Sequence, residues 1–295
     1  MKALIAREGF TEPRLEEAEP AALAPGELRV AVVAAPVNLV DTAIAATHGP
    51  FPLPEAVGLG WDLSGTVVEV GAEATGFAVG DRVAGMHARV AAPVRAHATE
   101  TVLLAEETAP LPDGLDLETA ALVPVPALTA RQALDLLGHQ RGTLLVTGGT
   151  GGVGSWAIAL AARDGWTVTG YVRAGREQAA RAVGADDVTT ELTPGEYDAV
   201  FDAANLQEPA LAAVRDGGRF VGVSPAAMLS SDRGVDVSAV SVHADSAALA
   251  GLLGFAATAG GPLLRVAGRS PLADASAAYA KVAAGGLDGR WLLLP

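Results

Sequence analysis

The rhythm of apolar and polar positions changes about a third of the way along this chain. Before that point, short β-branched runs alternate with breaks that carry glycine or proline. Residues 28–35 (Leu-Arg-Val-Ala-Val-Val-Ala-Ala) and 65–71 (Gly-Thr-Val-Val-Glu-Val-Gly) predict strands. Gly76, Gly80 and Gly85 punctuate the next segment, and Pro110-Leu111-Pro112-Asp113-Gly114 marks a border. From about Leu117 the apolar stretches lengthen and alternate in type. A helix is expected over 128–137 and another over 155–161, with strands at 143–147, 167–172, 199–201 and 219–223. Alternation of this kind implies a doubly wound parallel sheet. Residues 235–242 alternate in a way that predicts one more strand, at an edge. The final segment, 290–295, reads as a strand that returns to the first, β-rich region.

The uncharged stretch 246–264 is long enough to span a bilayer, but its glycines, Pro262 and many alanines predict a buried helix and a following loop. The N-terminal residues Met1-Lys2-Ala3-Leu4-Ile5-Ala6-Arg7-Glu8 meet charge too early for a signal peptide, so a cytoplasmic protein is expected. The 295 residues carry a formal net charge of −14, which argues against nucleic acid and against an anionic membrane surface as partners. The chain has no cysteine, which excludes disulfides, thiolate nucleophiles and thiolate metal sites.

The richest local pattern is Thr147-Gly148-Gly149-Thr150-Gly151-Gly152-Val153-Gly154, set between an expected strand and an expected helix. Gly149-x-Gly151-x-x-Gly154 is a dinucleotide-binding fingerprint. Its glycines permit a tight turn, approach of a pyrophosphate to the backbone, and close helix–strand packing. The helix start then offers free N–H groups and partial positive charge to phosphate. At the end of the next strand an Asp or Glu would select NAD. Here stand Arg173 and Arg176, with no carboxylate before Glu177. Guanidinium groups suit a 2′-phosphate, so NADPH is the expected cofactor.

Further segments resemble the medium-chain dehydrogenase/reductases, in their zinc-free quinone oxidoreductase (zeta-crystallin-like) branch. Val37-Asn38-Leu39-Val40-Asp41 resembles V-N-P-x-D, and Gly60-Trp61-Asp62-Leu63-Ser64-Gly65-Thr66-Val67-Val68-Glu69-Val70-Gly71 is similar to G-x-D-x-x-G-x-V-x-x-V-G. Gly80-Asp81-Arg82-Val83 matches G-D-R-V, and residues 127–134 look like the helix A-L-T-A-x-x-A-L. The resemblance implies a Rossmann domain over 118–261 and a β-rich GroES-like catalytic domain over 1–117, to which 262–295 return. It implies cofactor contacts from Gly149, Thr150, Gly151, Gly152, Val153, Gly154 and Val223, donors near the nicotinamide from Asn38 and Thr129, and a substrate pocket touching Asp41 and Trp61. Two departures stand out. Ala43 replaces a tyrosine common in the family, and residues 94–100 preserve little of its G-x-Y-A-E-Y-like stretch.

No metal is expected. Trp61 and Asp62 stand where metal-dependent relatives carry ligands, and the histidines at 48, 87, 97, 139 and 243 lack ligand spacing. Without a Lewis acid, hydride delivery to an already electrophilic carbon is the accessible chemistry. A small apolar enone, reduced at its β-carbon, or a quinone is the expected substrate. The alternative is an NADPH-binding sensor or scaffold with little turnover. A short-chain reductase also fits Thr147-Gly148-x-x-x-Gly152-x-Gly154, but no tyrosine here has a lysine four residues later. A homodimer, paired edge to edge through 235–242, is expected.

Overall fold

The computed structural model describes residues 1–47, 53–139, 141–258 and 261–295. The chain divides into two compact units. One comprises Met1–Val125, His243–Ala257 and Leu264–Pro295, and the other Pro126–Val242 and Thr258–Leu263.

The first unit opens with β1 (Lys2–Arg7), β2 (Arg14–Glu17), β3 (Glu27–Pro36) and α1 (Leu39–Thr47). β4 (Ala56–Gly58), β5 (Asp62–Val70), β6 (Arg82–Met86), β7 (Glu100–Leu104), β8 (Thr108–Pro110) and α2 (Leu117–Ala121) come next. β3 and β5 are the expected strands, each longer than its β-branched run. Their inward residues Leu28, Val30, Val32, Leu63 and Val67 form one apolar core with Val83 and Leu103. α3 (Pro124–Leu136) starts at the border of the unit. Its prolines fall in the first turn, where no intrahelical N–H bond is lost.

The second unit holds β9 (Thr143–Thr147), α4 (Gly152–Arg163), β10 (Thr167–Tyr171), α5 (Glu177–Ala182), β11 (Asp187–Thr189), β12 (Tyr197–Asp202), α6 (Glu208–Ala212), β13 (Val214–Gly222) and β14 (Asp236–Ala239). All six strands are parallel, in the order β11-β10-β9-β12-β13-β14. Starting from β9, the chain builds the sheet in one direction and then returns to build the other half beside β9. This is the Rossmann order, and its switch point lies between β9 and β12.

The chain then forms α7 (Ser246–Ala256), β15 (Val266–Pro271), α8 (Ala275–Ala284) and β16 (Arg290–Leu294), all in the first unit. β16 pairs antiparallel with β3, Leu292 opposite Pro36 and Leu293 opposite Ala35. The unit borders differ from 117 and 262. The β-rich unit extends to Val125 because α2 packs on β3, β5 and β6. It also takes in 243–257 because α7 packs on β8 and the turn before it. α7 buries Leu249, Leu252 and Leu253, and no helix among the described residues is long and apolar enough to cross a membrane.

Candidate functional site

In the second unit, the glycine turn joins β9 to α4 at the carboxyl end of the parallel sheet. Gly148 adopts φ +62, so it supplies the tight turn, a role expected of Gly149. Gly149 is buried instead, and a Cβ there would lie 2.8 Å from Ile158 Cδ1. Gly154 is packed harder still, since a Cβ would stand 2.1 Å from the Gly148 carbonyl oxygen. Gly151, by contrast, is exposed and sits at the N-cap of α4. Thr150, Gly152 and Val153 are half-buried beside it. The first-turn N–H groups of α4 have no intrahelical acceptor and face the rim of the sheet with the positive end of the helix dipole.

The switch point is pinned from below. Thr147 Oγ1, at the end of β9, donates to Asp202 Oδ1 at 2.6 Å and accepts from Ala204 N at 2.9 Å. Asp202 Oδ2 accepts from Gln207 N at 2.7 Å. The loop after β12 is thereby folded against the turn. Two of its non-glycine residues, Asn205 (φ 56) and Gln207 (φ 66), hold left-handed backbone. Such strain clusters where a binding surface dictates the backbone. Val223 comes directly after the end of β13 and is half-buried.

At the end of β10 the chain turns sharply, Arg176 N donating to Arg173 O at 3.1 Å, with Gly175 at φ +84. Arg173 is exposed and Arg176 half-buried at the start of α5. Glu177 folds back so that Oε1 accepts from Gly175 N at 3.1 Å. Backbone N–H groups of Glu177 itself and of Gly175 hold its carboxyl below the usual glutamate value. The first carboxylate after β10 thus lies in the same turn as the two arginines, engaged with backbone.

In the first unit, Asn38 lies in the bend between β3 and α1. Its side chain leaves the local backbone alone. Nδ2 donates to Asp62 Oδ2 at 3.0 Å, and Oδ1 accepts from Arg290 Nη2. Arg290 Nη2 also reaches Asp62 Oδ2 at 2.6 Å, and Nη1 donates to Leu122 O at 2.9 Å. Asp62 Oδ1 accepts from Val125 N in the first turn of α3. Asp62 is fully buried and the Arg290 side chain is 13% exposed, so the pair is a desolvated one, supported by the further hydrogen bonds to Asn38, Leu122 and Val125.

Asp41 is fully buried, with its oxygens taken by the backbone N–H of Asn38 (2.9 Å) and of Gly60 (3.0 Å). It holds the Asn38 bend rather than presenting a carboxylate. Trp61 is buried under the Arg95 guanidinium, 4.4 Å from its ring centroid. Thr129 is buried on α3, inside the second unit. Burial pushes the imidazoles of His87 and His97 below their ordinary value. Tyr279, whose hydroxyl lies 2.7 Å from His97 Nδ1, is pushed up by the same desolvation. Among the described residues no group of three or more His, Asp or Glu could hold a metal ion. His48 lies outside them.

Residues 24–112 match the alcohol dehydrogenase GroES-like domain family. The chain is 36% identical over 217 residues to the spectinabilin polyketide synthase system protein NorB of Streptomyces orinoci, covering 68% of this chain and 10% of that one. It is 40% identical over 151 residues to a quinone oxidoreductase of Pseudomonas aeruginosa (48% and 44% covered). It is 32% identical over 213 residues to the 2-methylene-furan-3-one reductase of Solanum lycopersicum (66% and 54%). The match therefore spans about half the length of these two oxidoreductases and a small part of the synthase. Over whole chains, the quinone oxidoreductase of Coxiella burnetii shares the fold at TM-score 0.85 and 22% identity, covering 100% of this chain and 99% of that one. Mycobacterial Rv1454c, solved in complex with NADPH, aligns at TM-score 0.81 and 25% identity, with 100% of each chain covered. Residues 24–112 thus match a GroES-like domain, and the chain as a whole shares the fold of these oxidoreductases.

Proposed function

We propose that this chain is an NADPH-dependent oxidoreductase that delivers hydride, without zinc, to a quinone or to the β-carbon of a small apolar enone. The observation that carries the reading is the glycine turn at the switch point of a parallel sheet in Rossmann order. The residues fit a dinucleotide. A Cβ at Gly151 would stand 3.2 Å from Gly148 O on the exposed rim where a pyrophosphate must approach the backbone. The NADPH complex of the mycobacterial neighbour supports the cofactor. The relatives named for quinone and furanone reduction support the acceptor class.

When bound, NADPH supplies a hydride. The chain's own part is binding and charge stabilisation. The N–H groups of Gly152, Val153 and Gly154 hold the pyrophosphate, Thr150 and Val223 flank it, and Arg173 and Arg176 take the 2′-phosphate. Asn38 donates its remaining amide N–H to the substrate oxygen as negative charge develops there, and the Thr129 hydroxyl is the second donor. Asp41 holds the Asn38 backbone, and Trp61 supplies apolar wall. Conjugation brings the charge to that oxygen, so no Lewis acid is needed. The protein is proposed to be cytoplasmic. β14, at one edge of the parallel sheet, is the proposed homodimer surface. A monomer by light scattering at micromolar concentration removes the dimer.

The test is NADPH consumption by the chelator-treated protein with a panel of quinones and enones. Turnover supports the reading, and NADPH binding without turnover on any of them favours the sensor or scaffold instead. The cofactor choice has its own test. Replacing Arg173 and Arg176 together by alanine is expected to weaken NADPH binding by about 2 kcal/mol or more and NADH binding hardly at all, because only NADPH brings the phosphate that a charge-assisted bond recognises. Equal losses for both cofactors, read by fluorescence titration, remove the arginines from that role.

A further inference from the structure

We propose that Arg290, contributed by the last strand of the chain, is the positioning residue for the Asn38 amide. This rests on the reading of Asn38 as the donor to the substrate oxygen. An asparagine amide can sit in either of two orientations, and the surrounding donors and acceptors decide between them. Here they leave one choice. Oδ1 takes a proton of Arg290 Nη2, and Nδ2 gives one proton to Asp62 Oδ2 at 3.0 Å. Turning the amide over would set Nδ2 against the guanidinium, donor against donor, and Oδ1 against the carboxylate, acceptor against acceptor. With both partners satisfied, one Nδ2–H of Asn38 is left as its free donor.

Arg290 does this because it is itself held. Nη2 also reaches Asp62 Oδ2 at 2.6 Å, and Nη1 donates to Leu122 O at 2.9 Å. Its backbone N donates to Arg265 O at 2.8 Å. The preceding Gly289, at φ +124, brings the strand so close to Arg265 that a Cβ would lie 2.3 Å from the same carbonyl oxygen. The side chain is 13% exposed and faces a fully buried carboxylate. A positive charge on the amide oxygen also polarises the amide, so its free N–H becomes a stronger donor to an oxygen that gains negative charge. Arg290 touches neither cofactor nor substrate in this role; it acts through Asn38.

The chain has two asparagines, Asn38 and Asn205, so asparagine-selective 15N labelling gives two side-chain amide pairs. In the wild type the Asn38 pair is expected to be widely split and slow to exchange with water. In Arg290→Gln it is expected to collapse towards the narrow splitting of a free amide while the Asn205 pair stays put. Should Arg290→Gln fail to fold with Asp62 unpaired, Arg290→Lys keeps a cation opposite Asp62 but lacks the planar fork that reaches both Asp62 and the Asn38 oxygen, and must show the same collapse. An unchanged Asn38 pair in the folded variant overturns the proposal. The kinetic arm uses NADPH and 1,4-benzoquinone. Arg290→Gln should lower kcat at least about 10-fold with NADPH affinity changed less than about twofold. Adding Asn38→Ala should then cost less than about threefold more, since both changes remove one function. Independent, multiplying losses also overturn the proposal. If Asn38→Ala alone leaves kcat intact, the donor role of Asn38 fails, while the amide splitting still decides whether Arg290 holds it.

Discussion

Gly154→Ala is expected to abolish practical NADPH binding. The added Cβ would stand 2.1 Å from Gly148 O, 2.7 Å from Gly148 C and 3.1 Å from Gly149 Cα. Every one of those atoms is backbone, so no side chain can rotate away. The turn must open or α4 must back off β9, and either movement disperses the first-turn N–H groups that the pyrophosphate needs together. A loss of 100-fold or more in affinity, about 2.7 kcal/mol, is the expected size. The fold should survive at lower Tm, because the sheet core of Leu145, Val200 and Phe220 lies below the turn. Titration calorimetry with NADPH, alongside circular dichroism, checks both halves. An affinity within about threefold of wild type would mean that this turn does not carry the phosphates.

Asn38→Ala is expected to lower kcat by about 10- to 1000-fold while leaving the Kd for NADPH unchanged, the signature of a donor used mainly in the transition state. The structure makes this a clean substitution. Arg290 and Asp62 still meet directly at 2.6 Å when the amide is gone, so no buried charge is stranded. The bend itself is held by Asp41 through the backbone N of residue 38, which alanine retains. A variant with wild-type kcat and reduced Tm would make Asn38 a structural asparagine.

Much of this fold is legible in the sequence, for local reasons. The strand at 143–147, the glycine turn and the start of β10 fall where the pattern places them, because a buried parallel strand, a glycine cluster and a helix must come one after another within a few residues. β13 starts earlier than expected, at Val214, since Gly217 and Gly218 break the apolar run without breaking the strand. β14 is shorter than 235–242, spanning Asp236–Ala239.

Other features depend on residues far apart in the chain. α7 reads as a helix after the parallel sheet, and nothing in its alanines and leucines says that it packs on β8. Arg290 looks like a solvated cation at the start of an apolar strand. Its partners, Asp62 and Asn38, lie 228 and 252 residues away, so only the pairing of β16 with β3 brings them together. The motif containing Asp62 is visible in the sequence, but its role as the acceptor that orients Asn38 is not. The turn-forming role of Gly148 is hidden as well, because the fingerprint begins at the next glycine.

Hydride transfer from bound NADPH to a conjugated acceptor leaves a traceable label. Its most direct measurement uses NADPH carrying deuterium at one face of C4, a small apolar enone and the chelator-treated protein. Mass spectrometry and NMR then locate the label in the product. One deuterium is expected at the β-carbon, delivered from one face of the cofactor only. Deuterium at the carbonyl carbon, or rapid oxidation of simple primary alcohols with NADP by the same metal-free protein, would contradict this reaction.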